Sequence, residues 1–152
     1  MIHVVLCDDH AILRRGIRDT LADAPDIEVT GEAGGYSELR EVLRTVACDI
    51  LLLDLNMPGR SGLEVLTSLR ETHSTIKVLV VSMYPEDQYA LRCLKAGAQG
   101  YAARVVSDVA GDGILSHCPE KHGACGIIQQ HIRHGAFSKQ GQIYGNTHKD
   151  GI

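Results

Sequence analysis

Asp8, Asp9, Asp54, Ser82 and Arg104 are the residues of this chain whose types and places suggest chemistry. They fall at or just beyond the ends of short apolar runs, and in open α/β sheets function collects outside the carboxyl ends of the strands. Three carboxylates brought together repel one another unless a cation sits among them. A hard, oxygen-seeking ion such as Mg²⁺ resolves that conflict with one or two carboxylates and several retained waters. A carboxylate is also a nucleophile that can accept a phosphoryl group as an acyl phosphate. A metal, the Ser82 hydroxyl and the Arg104 cation would then neutralise the charge of the transferred group, which is most of what phosphoryl transfer asks of a protein. Within "DILLLDLNMPG", Asp54 is thus expected to be held at the active edge of a sheet, beside a metal.

The elements that must position these residues follow from the apolar pattern. Four runs stand out, at 3–8, 27–33, 49–55 and 77–83, and three of them are almost continuous Val, Leu and Ile. That composition marks parallel strands covered on both faces. "QGYAARVV" reads as a fifth strand. Between the strands lie helical patterns: Leu39, Val42, Leu43 and Val46 recur at helical spacing, with Ser37 as the expected N-cap. Ser61 and Glu64 form a capping-box pair, and "PEDQYALRCLKAG" opens with acidic residues and stops at Gly97. Strand and helix alternate five times, which predicts a doubly wound α/β fold around a five-stranded parallel sheet with right-handed crossovers.

Composition sets the outer bounds. At 152 residues and 44% hydrophobic content the chain fits one domain with a real core, and its net charge of −4 offers no broad basic surface for nucleic acid or anionic membrane. The N-terminus "MIHVVLCDDH" lacks the positive region of a targeting signal, and no apolar run approaches the roughly 20 residues of a membrane span. The expectation is a cytoplasmic protein with no membrane partner. Cys7, Cys48 and Cys93 sit inside apolar patterns without C-x-x-C spacing, as buried reduced thiols do.

At this level of detail "LCDDHAILRRGIRDTLADAPDIEVTGEAG", "DILLLDLNMPGRSGLEVL", "VLVVSMY" and "LKAGAQGY" closely resemble the CheY-like receiver domain of bacterial two-component response regulators, specifically the NarL/FixJ (LuxR-type) family. The resemblance covers residues 2 to about 104. It implies the flavodoxin-like strand order 2-1-3-4-5, an order for which a single-domain receiver is a known example. It implies further that Asp54 is the phosphoacceptor and that Asp8 and Asp9 bind Mg²⁺, with the backbone carbonyl of Asn56 completing the metal site. Met57, Pro58 and Gly59 match the turn that follows. Ser82 matches the switch hydroxyl and Tyr101 the aromatic that swings inward with it, carrying the added charge of phosphorylation to the face of the fourth helix and fifth strand. The implied partner is a sensor histidine kinase, and the implied role is signalling rather than enzymatic turnover.

Two departures qualify the match. The family carries Lys where this chain has Arg104, and a planar fork is not equivalent to a compact ammonium at a tight phosphate site. The regulators of this type also continue through a regular fifth helix into a helix-turn-helix domain, which residues 105–152 do not resemble. Val106, Val109, Ala110 and Ile114 line at best a weak helix, because Gly111 and Gly113 each cost it about 1 kcal/mol relative to Ala. The expected organisation is a receiver over 1–118 and an atypical Gly/His-rich tail over 119–152, disordered or derived from a frameshift or truncation. A poorly formed fifth helix would leave one sheet face partly uncovered, so a homodimer is a prospect.

Other readings fit these residues less well. His117, Cys118, His122, Cys125, His131 and His134 fit no standard zinc spacing, and imidazoles in a Gly-rich tail are ordinarily solvated. "RHGAFSKQGQ" lacks the pattern of a nucleic-acid reader, so no DNA binding is expected of the chain as it stands. The alternatives kept are a pseudo-receiver, which holds the fold and partner surface without being phosphorylated, and a truncated remnant of a DNA-binding regulator.

Overall fold

The Val, Leu and Ile runs form the strands, and the amphipathic segments between them form the helices, in the order the pattern predicts. In this computed structural model the described residues are 1–57, 59–82 and 86–103, with Ile132 and the segment 143–145. The chain runs β1 (Ile2–Cys7), α1 (Ala11–Ala22), β2 (Ile27–Ala33), α2 (Tyr36–Thr45), β3 (Ile50–Leu53), α3 (Gly62–Thr72), β4 (Lys77–Ser82), α4 (Glu86–Ala96), β5 (Gly100–Ala103) and a short β6 (Ile143–Gly145). The first five strands are all parallel in the order 2-1-3-4-5, as expected. β6 adds a sixth, three-residue parallel strand at the β5 edge, which the sequence pattern did not announce.

Alternation along the central strands divides the core in two. Val5, Cys7, Leu51, Leu53, Val78 and Val80 face one way and pack with Leu39 of α2, Val65, Leu66 and Leu69 of α3, and Ala90 and Cys93 of α4. Val4, Leu6, Ile50, Leu52, Leu79 and Val81 face the other way and pack with Leu13, Ile17 and Leu21 of α1 and with Ile132. Each fully buried aliphatic side chain contributes about 1.5–3 kcal/mol of transfer free energy, which is why runs apolar on both faces settle in the middle of the sheet.

The helix ends show how local chemistry sets the loops that carry the site. Ser61 Oγ accepts the Glu64 backbone N–H at 3.3 Å, so the expected cap of α3 is present. At the end of α4 the N–H groups of Gly97 and Ala98 reach the carbonyls of Leu94 and Cys93, a Schellman closure in which Gly97 takes φ +115°. Ser37, by contrast, is not a cap. α2 begins at Tyr36, two residues before the start that a Ser37 cap implies, with Gly35 in the capping position. The earlier start brings Tyr36 against the core, where its hydroxyl meets Ser68 Oγ at 2.9 Å and its ring lies 4.7 Å beneath the Arg60 guanidinium. Tertiary packing of one aromatic outweighs the modest preference of a serine for the cap.

Arg104, the weak fifth helix expected after Val105 and the His/Cys-rich part of the tail lie outside the described residues.

Candidate functional site

Two strand ends bring the carboxylates together. Asp8 lies one residue past β1 and Asp54 one residue past β3, and the ladder continues through both: Asp8 N–H donates to the Ala33 carbonyl at 3.0 Å and Asp54 N–H to the Cys7 carbonyl at 2.9 Å. β1 and β3 are adjacent in the sheet, so these two bonds fix the backbones of both acids side by side. Asp8, Asp54 and Ser82, at 6, 3 and 1% exposure, are the buried polar side chains among the described residues. Burial of ionisable groups at the edge of an apolar core costs free energy unless something compensates their charge, and here two of the three are acids. Asp9 stands beside them, exposed to solvent.

The ligand atoms of Asp8, Asp9, His10 and Asp54 all lie within 4.8 Å of one another. His10 was not among the expected site residues. Its Nδ1 sits 2.9 Å from Asp9 Oδ1 and 3.1 Å from Asp8 Oδ1, and its backbone N–H donates to Asp8 Oδ1 at 2.8 Å. On the opposite side of the pocket, Asp54 Oδ1 accepts the Asn56 N–H at 3.1 Å, closing a tight turn after β3. Met57 then folds back into the core and receives the Cys7 Sγ–H on its sulfur at 3.3 Å. Pro58 lies outside the described residues.

A set of three carboxylates that converge within 4.8 Å suits a hard divalent cation, which binds oxygen and retains part of its hydration shell. The residues present fit Mg²⁺ on donor chemistry. Ser82 ends β4, the strand next to β3, and is buried at the same edge of the sheet. Tyr101, in β5, is 1% exposed and belongs to the core cluster that includes Val80, Ala90 and Cys93.

Arg14 is the second residue that sequence reasoning passed over. Projecting from α1, it donates from Nη1 to the backbone carbonyl of Asp8. Its Nε lies 3.7 Å from Glu32 Oε1, and Arg18 Nη1 binds Glu32 Oε2 at 2.9 Å. Helix α1 has no side-chain cap at His10, so this link to Asp8 and β2 ties its first turn to the acidic loop. Arg14→Met is expected to lower stability by about 1–2 kcal/mol, discounted for the partial exposure of the pair, and to weaken divalent-cation binding several-fold. Thermal melts with and without Mg²⁺ check this: a variant that melts lower but gains as much from Mg²⁺ as the wild type would limit Arg14 to a structural role.

Of the three described cysteines, Cys7 and Cys93 are buried as the sequence reading expects, and Cys48 is half-buried. Burial, followed by the charges of Asp8 and Asp54, pushes the Cys7 thiol from its ordinary 9.0 up to about 12. Burial likewise raises Cys48 to about 12 and Cys93 to about 11. Since the folded state holds these protons more tightly than the unfolded chain, their contribution to stability is complete below pH 9 and is lost as pH rises toward about 12. Native alkylation at pH 8 followed by peptide mapping is expected to leave all three unmodified, and rapid labelling of Cys7 would contradict its place beneath the acidic pocket.

Residues 4–108 match the family model described as the response regulator receiver domain. The chain belongs to the response regulator receiver family. Over 98 residues this receiver is 41% identical to the nitrate/nitrite response regulator protein NarL of Escherichia coli (strain K12), covering 64% of this chain and 45% of that one. The DNA-binding transcriptional activator DevR/DosR of Mycobacterium tuberculosis is 31% identical over an alignment 160 positions long, which takes in 99% of this chain and 71% of that protein. Among solved structures, the response regulator domain of Thermotoga maritima CheB superposes with a TM-score of 0.75 at 22% identity, covering 92% of this chain and 99% of that one, a likeness of fold. The receiver spans about half the length of the NarL and GacA regulators it matches. No described helix is long and apolar enough to cross a membrane.

Proposed function

We propose that this receiver takes a phosphoryl group onto Asp54 from a sensor histidine kinase, with Mg²⁺, and signals through the surface of α4 and β5. The observation that carries the reading is the convergence of Asp8, Asp9 and Asp54, with two of the three buried and fixed through adjacent strand ends. In the transfer, an Asp54 carboxylate oxygen forms a bond to phosphorus while the bond from phosphorus to the donor's imidazole nitrogen breaks, and that nitrogen keeps the electron pair. Asp8, Asp9, Asp54 and the Asn56 carbonyl would hold Mg²⁺, which supplies positive charge to the oxygens of the transferred group. Ser82 donates its hydroxyl to the same oxygens, and Arg104 adds a second cation.

The buried position of Tyr101 against Ala90 and Cys93 of α4 supports a route outward from Ser82. A hydroxyl drawn toward the phosphoryl group vacates space at the end of β4, and the ring beside it holds α4 in the matching position. Arg104 in place of Lys favours one second reading, a pseudo-receiver that keeps the partner surface and takes no phosphoryl group.

Incubation with a small-molecule phosphodonor, with Mg²⁺ or with a chelator, separates the two readings. One phosphoryl group taken up only with Mg²⁺, and released by hydroxylamine as an acyl phosphate is, supports phosphotransfer. Absence of uptake by folded protein supports the pseudo-receiver, and a hydroxylamine-stable adduct contradicts both.

A further inference from the structure

The strand that carries Tyr101 is paired on its outer side by a segment of the chain's own tail. We propose that β6 is a switch element in cis: its pairing with β5 holds Tyr101 in the buried position, so that β6 pairing and phosphoryl loading at Asp54 strengthen each other. The inference rests on the reading of Asp54 as phosphoacceptor and Tyr101 as its relay given above.

Register comes first. β5 lies between β4 and β6, and both neighbours run parallel to it. Gly100 stands between Leu79 and Ile143, Tyr101 between Val80 and Tyr144, and Ala102 between Val81 and Gly145. All three residues of β6 thus fall on the stretch of β5 centred on Tyr101. Without β6, β5 would be an edge strand, held by hydrogen bonds on one side alone.

A second contact ties the tail to the same region. Ile132 is fully buried, in the core cluster that includes Leu79 and Val81, the β4 residues paired with Gly100 and Ala102. A three-residue strand is too short to pair as a separate peptide. Anchored nearby through Ile132, it pairs as an intramolecular segment with a high effective concentration.

The consequence for the switch follows from linkage. Ser82 pairs with Ala103, two residues from Tyr101, so β5 receives any movement at the phosphoryl site directly. A β5 backbone bonded on both sides is less free to let the ring leave the core, where Tyr101 is 1% exposed while β6 is paired. A ligand that favours the buried ring therefore favours β6 pairing, and β6 pairing raises affinity for that ligand by the same factor. A strand this short opens at low free energy, which leaves its population free to shift.

The test uses the full chain, with beryllofluoride and Mg²⁺ standing in for the phosphoryl group. Hydrogen exchange is expected to show the amides of 143–145 exchanging roughly tenfold or more slowly than an unstructured chain, and more slowly again with the analogue bound. The double variant Ile143→Pro, Tyr144→Pro leaves no N–H at either position for β5 to accept, whichever of the two faces it. In that variant the amides of 100–102 are expected to exchange faster and beryllofluoride affinity to fall about fivefold or more, with Mg²⁺ affinity unchanged. A folded double variant that binds beryllofluoride as tightly as the wild type, or wild-type exchange at 143–145 that the analogue leaves unchanged, overturns this inference while leaving Asp54 as phosphoacceptor. If folded wild type binds Mg²⁺ but no beryllofluoride, the reading of the phosphoryl site fails and the coupling fails with it.

Discussion

Asp54→Asn is expected to abolish phosphoryl uptake completely while leaving the fold as stable as before, or more stable by up to about 1 kcal/mol. Asn has nearly the shape of Asp, and its amide oxygen can still accept the Asn56 N–H that Asp54 Oδ1 accepts at 3.1 Å. What it lacks is the anionic oxygen that forms the bond to phosphorus, so no acyl phosphate can be made. The substitution also removes one of three negative charges that converge within 4.8 Å, and the remaining carboxylates repel each other less. Phosphate incorporation and thermal melts on the same preparation check both halves. An Asp54→Asn variant that melts far below the wild type would mean that the carboxylate has a structural role.

Gly62→Ala is expected to destabilise the chain by about 3 kcal/mol, enough to lower Tm by roughly 10 °C. Alanine ordinarily favours a helix over glycine by about 1 kcal/mol, so propensity alone predicts the opposite sign. The difference lies in packing. A Cβ at Gly62 would stand 2.5 Å from Leu55 Cα, 2.8 Å from Leu55 Cδ2 and 3.0 Å from the Leu55 carbonyl oxygen, while the Gly62 N–H donates to that same carbonyl at 3.1 Å. The obstacle is largely backbone and cannot rotate aside. Leu55 follows Asp54, so any shift that relieves the clash moves the loop that carries Asp54, and Mg²⁺ affinity should fall with stability. Denaturant melts read the first effect and Mg²⁺ titration the second; wild-type values in both would mean that the loop yields without cost.

The fold was legible because its strands are greasy on both faces. Runs such as "DILLLDL" and "KVLVVSM" have no solvent side to show, so they could belong only to a central parallel sheet, and Ser61 and Gly97 mark helix ends through local chemistry. β3 stops at Leu53, so Asp54 stands just beyond the strand end, as its place in the apolar run implied. The carboxylates were legible from their places after apolar runs. His10 and Arg14 were not: His10 stands at the cap position before α1 and Arg14 in its first turn, and each reaches back to the acids, a direction that spacing does not encode. Nor was Gly62, whose need for a bare Cα comes from the approach of Leu55 in three dimensions. The short β6 was missed for a different reason: "IYG" carries too few residues for a period to show.

The most direct measurement of the central claim is the identity of the residue that carries the phosphoryl group. Borohydride reduces an aspartyl phosphate to homoserine, so treatment of the phosphorylated chain followed by peptide sequencing in the mass spectrometer reads the position. The account predicts homoserine at position 54 and nowhere else. Homoserine at another acidic residue, or none from folded, Mg²⁺-binding protein exposed to the donor, would contradict it.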